Sequence, residues 1–275
     1  QHPIYFLLLH TQMKNDSILI LGFLVLMASC AAPTPESNPV PLSTAAATPE
    51  LPAIHVWGSL PGMHKRHEIA TLVKLSDLMP DATLIGLGAA TNLDGELTVL
   101  DGHAYVARPR NGKVSQSDTN QSSDAEACMF VAAKVKDWVE FPLDSAIPMS
   151  KCDAWMTQHL DTTAPIPFTI QGHFQDLNWH VVDGANASAG DASCASHSVE
   201  GIQMSLADSP QLLLQDSSNA VLVGFWSKHH KAVFTRHDSE NHTHVIVAGV
   251  GSGHVDSCTI PAGATLRLPA GVSCR

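Results

Sequence analysis

Along most of the chain, apolar positions come in short runs or alternate with polar ones, and helical spacing is rare. Residues 82–90 form a glycine-rich apolar run that predicts a buried strand. Two alternating segments at 96–100 and 103–107 flank Asp101-Gly102, a strong hairpin signal. Residues 128–141 read as a strand region, and 166–174 and 178–182 as a pair of strands. Segments 221–226, 242–247, 254–260 and 265–268 add a β-rich C-terminal half. Helical spacing is confined to two places. Ile69, Leu72, Val73 and Met79 suggest a helix over 66–79, stopped by Pro80, and 151–160 suggests a second, short one. The polar stretch 112–127 reads as a surface loop. Strands outnumber helices and no repeat is visible. The expected class is α/β in the broad α+β sense, a mixed and largely antiparallel sheet with helices on it.

The N-terminal pattern is different in kind. Met13-Lys14 precede an almost unbroken apolar run at 18–27, followed by Ala28-Ser29-Cys30. A basic start, an apolar stretch too short to span well and small residues before a cleavage point make an export signal. Its ending resembles a lipoprotein signal, which would lipidate Cys30 and anchor the mature protein at the cell envelope. The alternative is a plain secretory signal with Cys30 in a disulfide. Two alanines follow Cys30, and the lack of an aspartate retention cue favours an outer-membrane destination where one exists. Residues 31–52, rich in Pro, Ala, Ser and Thr, read as a flexible tether. Residues 1–30 are therefore upstream residues and a lipoprotein-type signal starting near Met13, 31–52 a tether and 53–275 the folded part.

Composition narrows the partners. The 275 residues carry a formal net charge of −11 with no basic block, which argues against nucleic acid. At 44% hydrophobic and 15% charged, the folded part is globular. The six cysteines form no C-x-x-C pair, so a cysteine zinc site is not expected. In an exported chain Cys128 with Cys152 and Cys258 with Cys274 would be reasonable disulfides, leaving Cys194 free, though spacing does not fix connectivity.

The 16 histidines carry the candidate chemistry. His242-Thr243-His244 lies in a strand pattern, so its two imidazoles share a face. Gly249, Gly251 and Gly253 supply a turn, and a hairpin of that length returns His254 beside the first two. Three imidazoles with an open position suit a catalytic divalent metal, zinc above all. His229, His230 and His237 read as surface residues.

Several motifs then resemble one family. Residues 86–105, G-L-G-A-A-T-N-L-D-G-E-L-T-V-L-D-G-H-A-Y, are similar to the signature hairpin of acetolactate decarboxylase. The run V-L-V-G-F-W at 221–226, H-T-H-V-I-V at 242–247 and G-H-V-D at 253–256 resemble it too, and in the same order. The resemblance covers about 55–269. It implies a two-domain fold with a smaller β-rich, metal-carrying part, a homodimer, and a zinc-type metal on His242, His244 and His254. It also implies that Glu96 faces the metal as a catalytic acid in converting 2-acetolactate to acetoin and carbon dioxide.

Two departures accompany it. The family carries an arginine where this chain has Thr169, and threonine cannot replace its charge. Gln171 and His173 are expected on the same strand face, with His173 standing in for part of that charge, so the three form a candidate substrate site. The family also supplies a late glutamate, whereas no carboxylate side chain follows Asp256. The leading expectation is a metal-dependent decarboxylase of a small 2-hydroxy-3-keto acid. Its rivals are a metal- or ligand-binding surface protein on the same fold and an enzyme with another substrate.

Overall fold

The computed structural model describes residues 50–110, 113–119, 124–184, 204–205 and 220–275. Strands β1 (His55–Trp57), β2 (Val73–Lys74), β3 (Leu84–Ala90), β4 (Glu96–Leu100), β5 (His103–Arg110), β6 (Lys113–Thr119) and β7 (Glu126–Lys134) build a first sheet. Its order is β1-β7-β3-β4-β5-β6, with β2 also beside β7. The second sheet holds β8 (Trp138–Pro142), β9 (Ile147–Pro148), β10 (Ile166–Gln171), β11 (Gln175–His180), β12 (Met204–Ser205), β13 (Ala220–Trp226), β14 (Asn241–Val247), β15 (Gly251–Ile260) and β16 (Thr265–Pro269). Its order is β12-β11-β15-β14-β13-β10-β16-β8, with β9 on β15. Every pairing between these strands is antiparallel. Two short α-helices, α1 (Leu60–Arg66) and α2 (Cys152–His159), complete the regular structure beside brief 3₁₀ turns.

The β4–β5 hairpin turns where the sequence places it. Asp101 (φ 50°) and Gly102 (φ 74°) both take the left-handed conformation of a type I′ turn, whose twist matches the flanking strands.

The first helix is displaced from its expected place. Ser59 accepts a hydrogen bond from the Gly62 amide (3.1 Å), Pro61 sits in the first turn, and left-handed His67 closes the helix at Arg66. Beyond it, Leu72 donates its amide to Ala127 and β2 joins β7. Val73 and Leu75 are buried, Lys74 between them is exposed, and Leu72 is 50% exposed. That is a strand's period of two, and it defeats the helical reading.

Three further expectations are corrected. The stretch read as a loop from 112 to 127 contains β6, an edge strand, where one-sided pairing tolerates a polar sequence; 111–112 and 120–123 lie outside the described residues. The 128–141 region divides into β7 and β8, which belong to different sheets. Finally, β10 and β11 do not pair with each other: β10 lies between β13 and β16, and β11 between β12 and β15. Phe168 explains β10's place, because its ring lies flat on Gly224 of β13, where a Cβ would come within 2.2 Å of it.

Between the sheets lies an apolar layer of Leu87, Ala89, Met129 and Val131 from the first and Val223, Phe225 and Ile246 from the second. Leu97, Val99, Val106 and Phe130 fill the outer face of the first sheet. On the far face of the second, Phe168, Leu222, Trp226 and Val245 pack with Cys152 and Met156 of α2. These areas, not helix propensity, hold the fold, since burying each such side chain contributes about 1.5–3 kcal/mol.

The disulfides expected from spacing do not form. Cys128, Cys152, Cys258 and Cys274 are all free thiols. Cys128 lies in the layer between the sheets, 3.2 Å from the Ala90 carbonyl, whereas Cys152 belongs to the core beneath α2. Cys30 and Cys194 lie outside the described residues.

Candidate metal centre

Strands β14 and β15 carry the three histidines, joined by a turn in which Gly249 takes φ 73°. Gly251 and Gly253 belong to β15 rather than to the turn. His244 pairs directly with His254 across the hairpin, and His242 is two residues before His244 on the same face. One nitrogen from each of the three lies within 4.8 Å of the others. His242 Nε2 and His254 Nδ1 are 3.1 Å apart. Burial drives the His242 pKa down to about 4 and those of His244 and His254 well below the ordinary value. All three imidazoles are therefore neutral at pH 7, the form that binds metal.

The first sheet closes the site through β4. Thr98 Oγ1 shares a hydrogen bond with His244 Nδ1 (2.9 Å), which leaves Nε2 of the same ring buried with no partner among the described residues. An unpartnered buried nitrogen needs explaining, and a cation supplies the missing partner. Neutral nitrogens, an orphaned Nε2 and an outer hydrogen bond that orients the ring together fit a divalent metal.

Glu96 stands two residues before Thr98 on the same face of β4. Its Oε2 is 3.7 Å from His244 Nε2, and the side chain is buried. Gly95 (φ 122°) sets the strand's start; a Cβ there would meet the Ala107 carbonyl at 2.1 Å. Burial pushes the Glu96 carboxyl up to about 8, against the charge of His180 and a hydrogen bond from the Val182 amide. Glu96 and the triad thus meet from opposite sheets.

Sequence reasoning overlooked Thr98, His180 and the role of Asp256. His180 of β11 pairs with His254, and their ring centroids are 5.1 Å apart. Its Nδ1 lies 2.8 Å from Asp256 Oδ1. Burial lowers the His180 pKa, but the Asp256 hydrogen bond and charge, with Glu96, outweigh it and the net shift is upward. Alternation was the available signal: Thr98 follows Glu96 by two, and Asp256 follows His254 by two.

The expected substrate residues divide. Thr169 is buried in the row that runs through Val223 to His244, His254 and His180, so it shares their face. Two strand spacings, about 9–10 Å, separate its backbone from that of His244, further than a threonine reaches. Gln171 is exposed at the end of β10. His173 is exposed and lies beyond the end of that strand. Arg267 pairs with Thr169 from β16 and engages Asp101 (3.8 Å) and the Trp138 ring. Of the histidines read as surface residues, His229 and His237 are exposed; His230 is half-buried, bonded to Ser227 and stacked on Phe234.

Two antiparallel sheets enclosing a histidine triad that could hold a metal ion, beside a buried carboxyl, define an α+β protein. The sequence model for alpha-acetolactate decarboxylase matches residues 71–269, and the chain belongs to that family. Alpha-acetolactate decarboxylase from Bacillus subtilis strain 168 has a similar fold at 15% identity, with a TM-score of 0.58 over 81% of this chain and 85% of that one. Acetolactate decarboxylase from Bacillus subtilis subspecies spizizenii gives 15% and 0.59, over 81% and 86%. A Staphylococcus aureus protein of unknown function similar to alpha-acetolactate decarboxylase gives 13% and 0.57, over 81% and 85%. No curated protein matches the sequence. Family and fold together point to an acetolactate decarboxylase-like function.

Proposed function

We propose that the protein is a metal-dependent carbon–carbon lyase that converts 2-acetolactate, or a related 2-hydroxy-3-keto acid, to acetoin and carbon dioxide. His242, His244 and His254 would hold a divalent transition metal, zinc in the simplest reading. The observation that carries this is the buried Glu96 carboxyl 3.7 Å from the unpartnered Nε2 of His244. A pure metal store needs no acid there.

When bound, the ion would supply Lewis-acid stabilisation of the negative charge left on oxygen as carbon dioxide departs. The chain's own residues do the rest. Thr98 holds the His244 ring in one orientation. Burial raises the Glu96 carboxyl to about 8 in the metal-free site, and from its place beside the triad it would pass a proton to the carbon that has lost carbon dioxide. The two sheets exclude water from that transfer.

The test is acetoin release from racemic 2-acetolactate by the purified protein, with and without chelator, and by His242→Ala and Glu96→Gln. The expected result is metal-dependent release, lost with the metal in His242→Ala. Glu96→Gln keeps its metal and loses at least about 10²-fold in rate. Metal-loaded wild type that releases acetoin no faster than buffer would remove decarboxylation. A second reading would then stand, that of a metal- or ligand-binding protein or an enzyme with another substrate; buried Thr169 in place of an arginine favours it. We further read residues 13–30 as an export signal with Cys30 lipidated, on the strength of the apolar run and the small residues before that cysteine.

A further inference from the structure

Two polar groups flank His254 on the face it shares with the triad, and the mechanism above uses neither. His180 is its cross-strand neighbour, fixed through Nδ1 by Asp256. Ser252 lies two residues before His254 on the same strand, fully buried, with an Oγ that has no hydrogen-bond partner among the described residues. His180 stands outside the group whose nitrogens could share an ion. Asp256 is the extra residue of a β-bulge in β15, between Val255 opposite Trp179 and Ser257 opposite Asn178, a device common beside functional sites. Gly253 allows the close approach: a Cβ there would come within 2.3 Å of the His180 carbonyl oxygen.

An orphaned buried hydroxyl costs stability unless something else completes it. Because Nδ1 is committed to Asp256, the His180 ring has only Nε2 to offer a ligand. On adjacent strands His180 and Ser252 are diagonal neighbours, about 7–8 Å apart at the backbone, a span that a small acid lying over His254 can bridge.

We propose that His180, positioned by Asp256, and Ser252 bind the carboxylate of a small 2-hydroxy acid whose hydroxyl faces the triad. They do so in a place where Thr169 leaves no cation. The inference rests on the reading of the triad as a metal centre and adds how the substrate is anchored. No covalent step is involved; with Nδ1–H donated to Asp256, the doubly protonated His180 ring donates Nε2–H, and Ser252 donates Oγ–H, to the carboxylate oxygens.

The test uses the full zinc-loaded protein and 2-hydroxyisobutyrate, a 2-hydroxy acid that lacks the keto group needed for the proposed decarboxylation. Zinc content, melting temperature and calorimetric Kd are measured for wild type, His180→Ala, His180→Gln, Asp256→Asn and Ser252→Ala. All variants are expected to hold wild-type zinc. His180→Ala and Ser252→Ala each weaken the probe about tenfold, the loss of one hydrogen bond to a charged group. His180→Gln, which keeps a donor, recovers part of that loss, and Asp256→Asn weakens binding less than His180→Ala. Ser252→Ala leaves the melting temperature unchanged or raises it, which a structural hydroxyl would not do.

Unchanged probe affinity in the zinc-replete variants overturns the inference and leaves the metal centre intact. Zinc loss in His180→Ala overturns it by making His180 a ligand of the ion. Wild type that takes up no zinc removes the metal centre and the inference together. Probe binding that behaves as expected, with no acetoin from 2-acetolactate, removes decarboxylation alone.

Discussion

Burial bears directly on the Glu96 carboxyl. In an unfolded chain its carboxyl ionises near 4.5, and in the folded metal-free protein burial moves that to about 8. Between those values the folded state keeps a proton that the unfolded chain has released, so stability falls as pH rises through the window. Glu96→Gln has no such proton. Urea denaturation of the metal-free proteins should therefore show the variant gaining on wild type from about pH 5 to about pH 8; parallel curves would place Glu96 in a wetter environment. At this scale the sequence was legible where two residues of one strand share a face, as His242 and His244 do. It was silent on His180, because nothing local says that β11 will lie against β15.

Whole elements were legible in proportion to how local their determinants are. The β4–β5 hairpin needs only alternation and Asp101-Gly102, and it forms as read. The helix expected over 66–79 failed because Val73 and Leu75 are buried at a strand's spacing. That pattern was present, but Ile69, Leu72 and Met79 also fitted a helical one. Strand β6 was missed because an edge strand with polar side chains looks like a loop until its partner is known. The β10–β13 pair depends on a contact no periodicity reveals, the Phe168 ring on Gly224. Gly224→Ala puts a methyl into that ring and is expected to destabilise by about 1–3 kcal/mol, read as a lowered denaturation midpoint with zinc content preserved. An unshifted midpoint would mean that β10 is free to move off β13.

For the molecule as a whole, strands β1–β7 form one sheet and β8–β16 the other, so the chain finishes the first before it begins the second. The histidines belong to the nine-stranded sheet, and Glu96 and Thr98 to the seven-stranded one. Family resemblance brought Glu96 to the site; composition and spacing alone did not. The Thr98–His244 hydrogen bond is the polar contact through which the first sheet orients a triad ring. Thr98→Val keeps the shape and removes that bond, and zinc affinity should fall about 10–100-fold, measured by competition with a chromophoric chelator. Unchanged affinity would show that packing alone sets the ring.

The three histidines lie within one β-hairpin, whereas the carboxyl beside them arrives from a different sheet and a distant part of the sequence. On the proposed function, the residues for the ion and for the reaction thus come from separate stretches of the chain. On that reading, substitutions in β4, β10 or β11 could change which molecule is processed without touching the residues that would hold the ion. Thr169, where the resemblance leads one to expect arginine, lies outside the hairpin on the same face of the sheet. Among relatives of this chain, the histidine pattern is accordingly a poor guide to substrate, and the residues facing it from β4, β10 and β11 are where divergence in activity is to be sought.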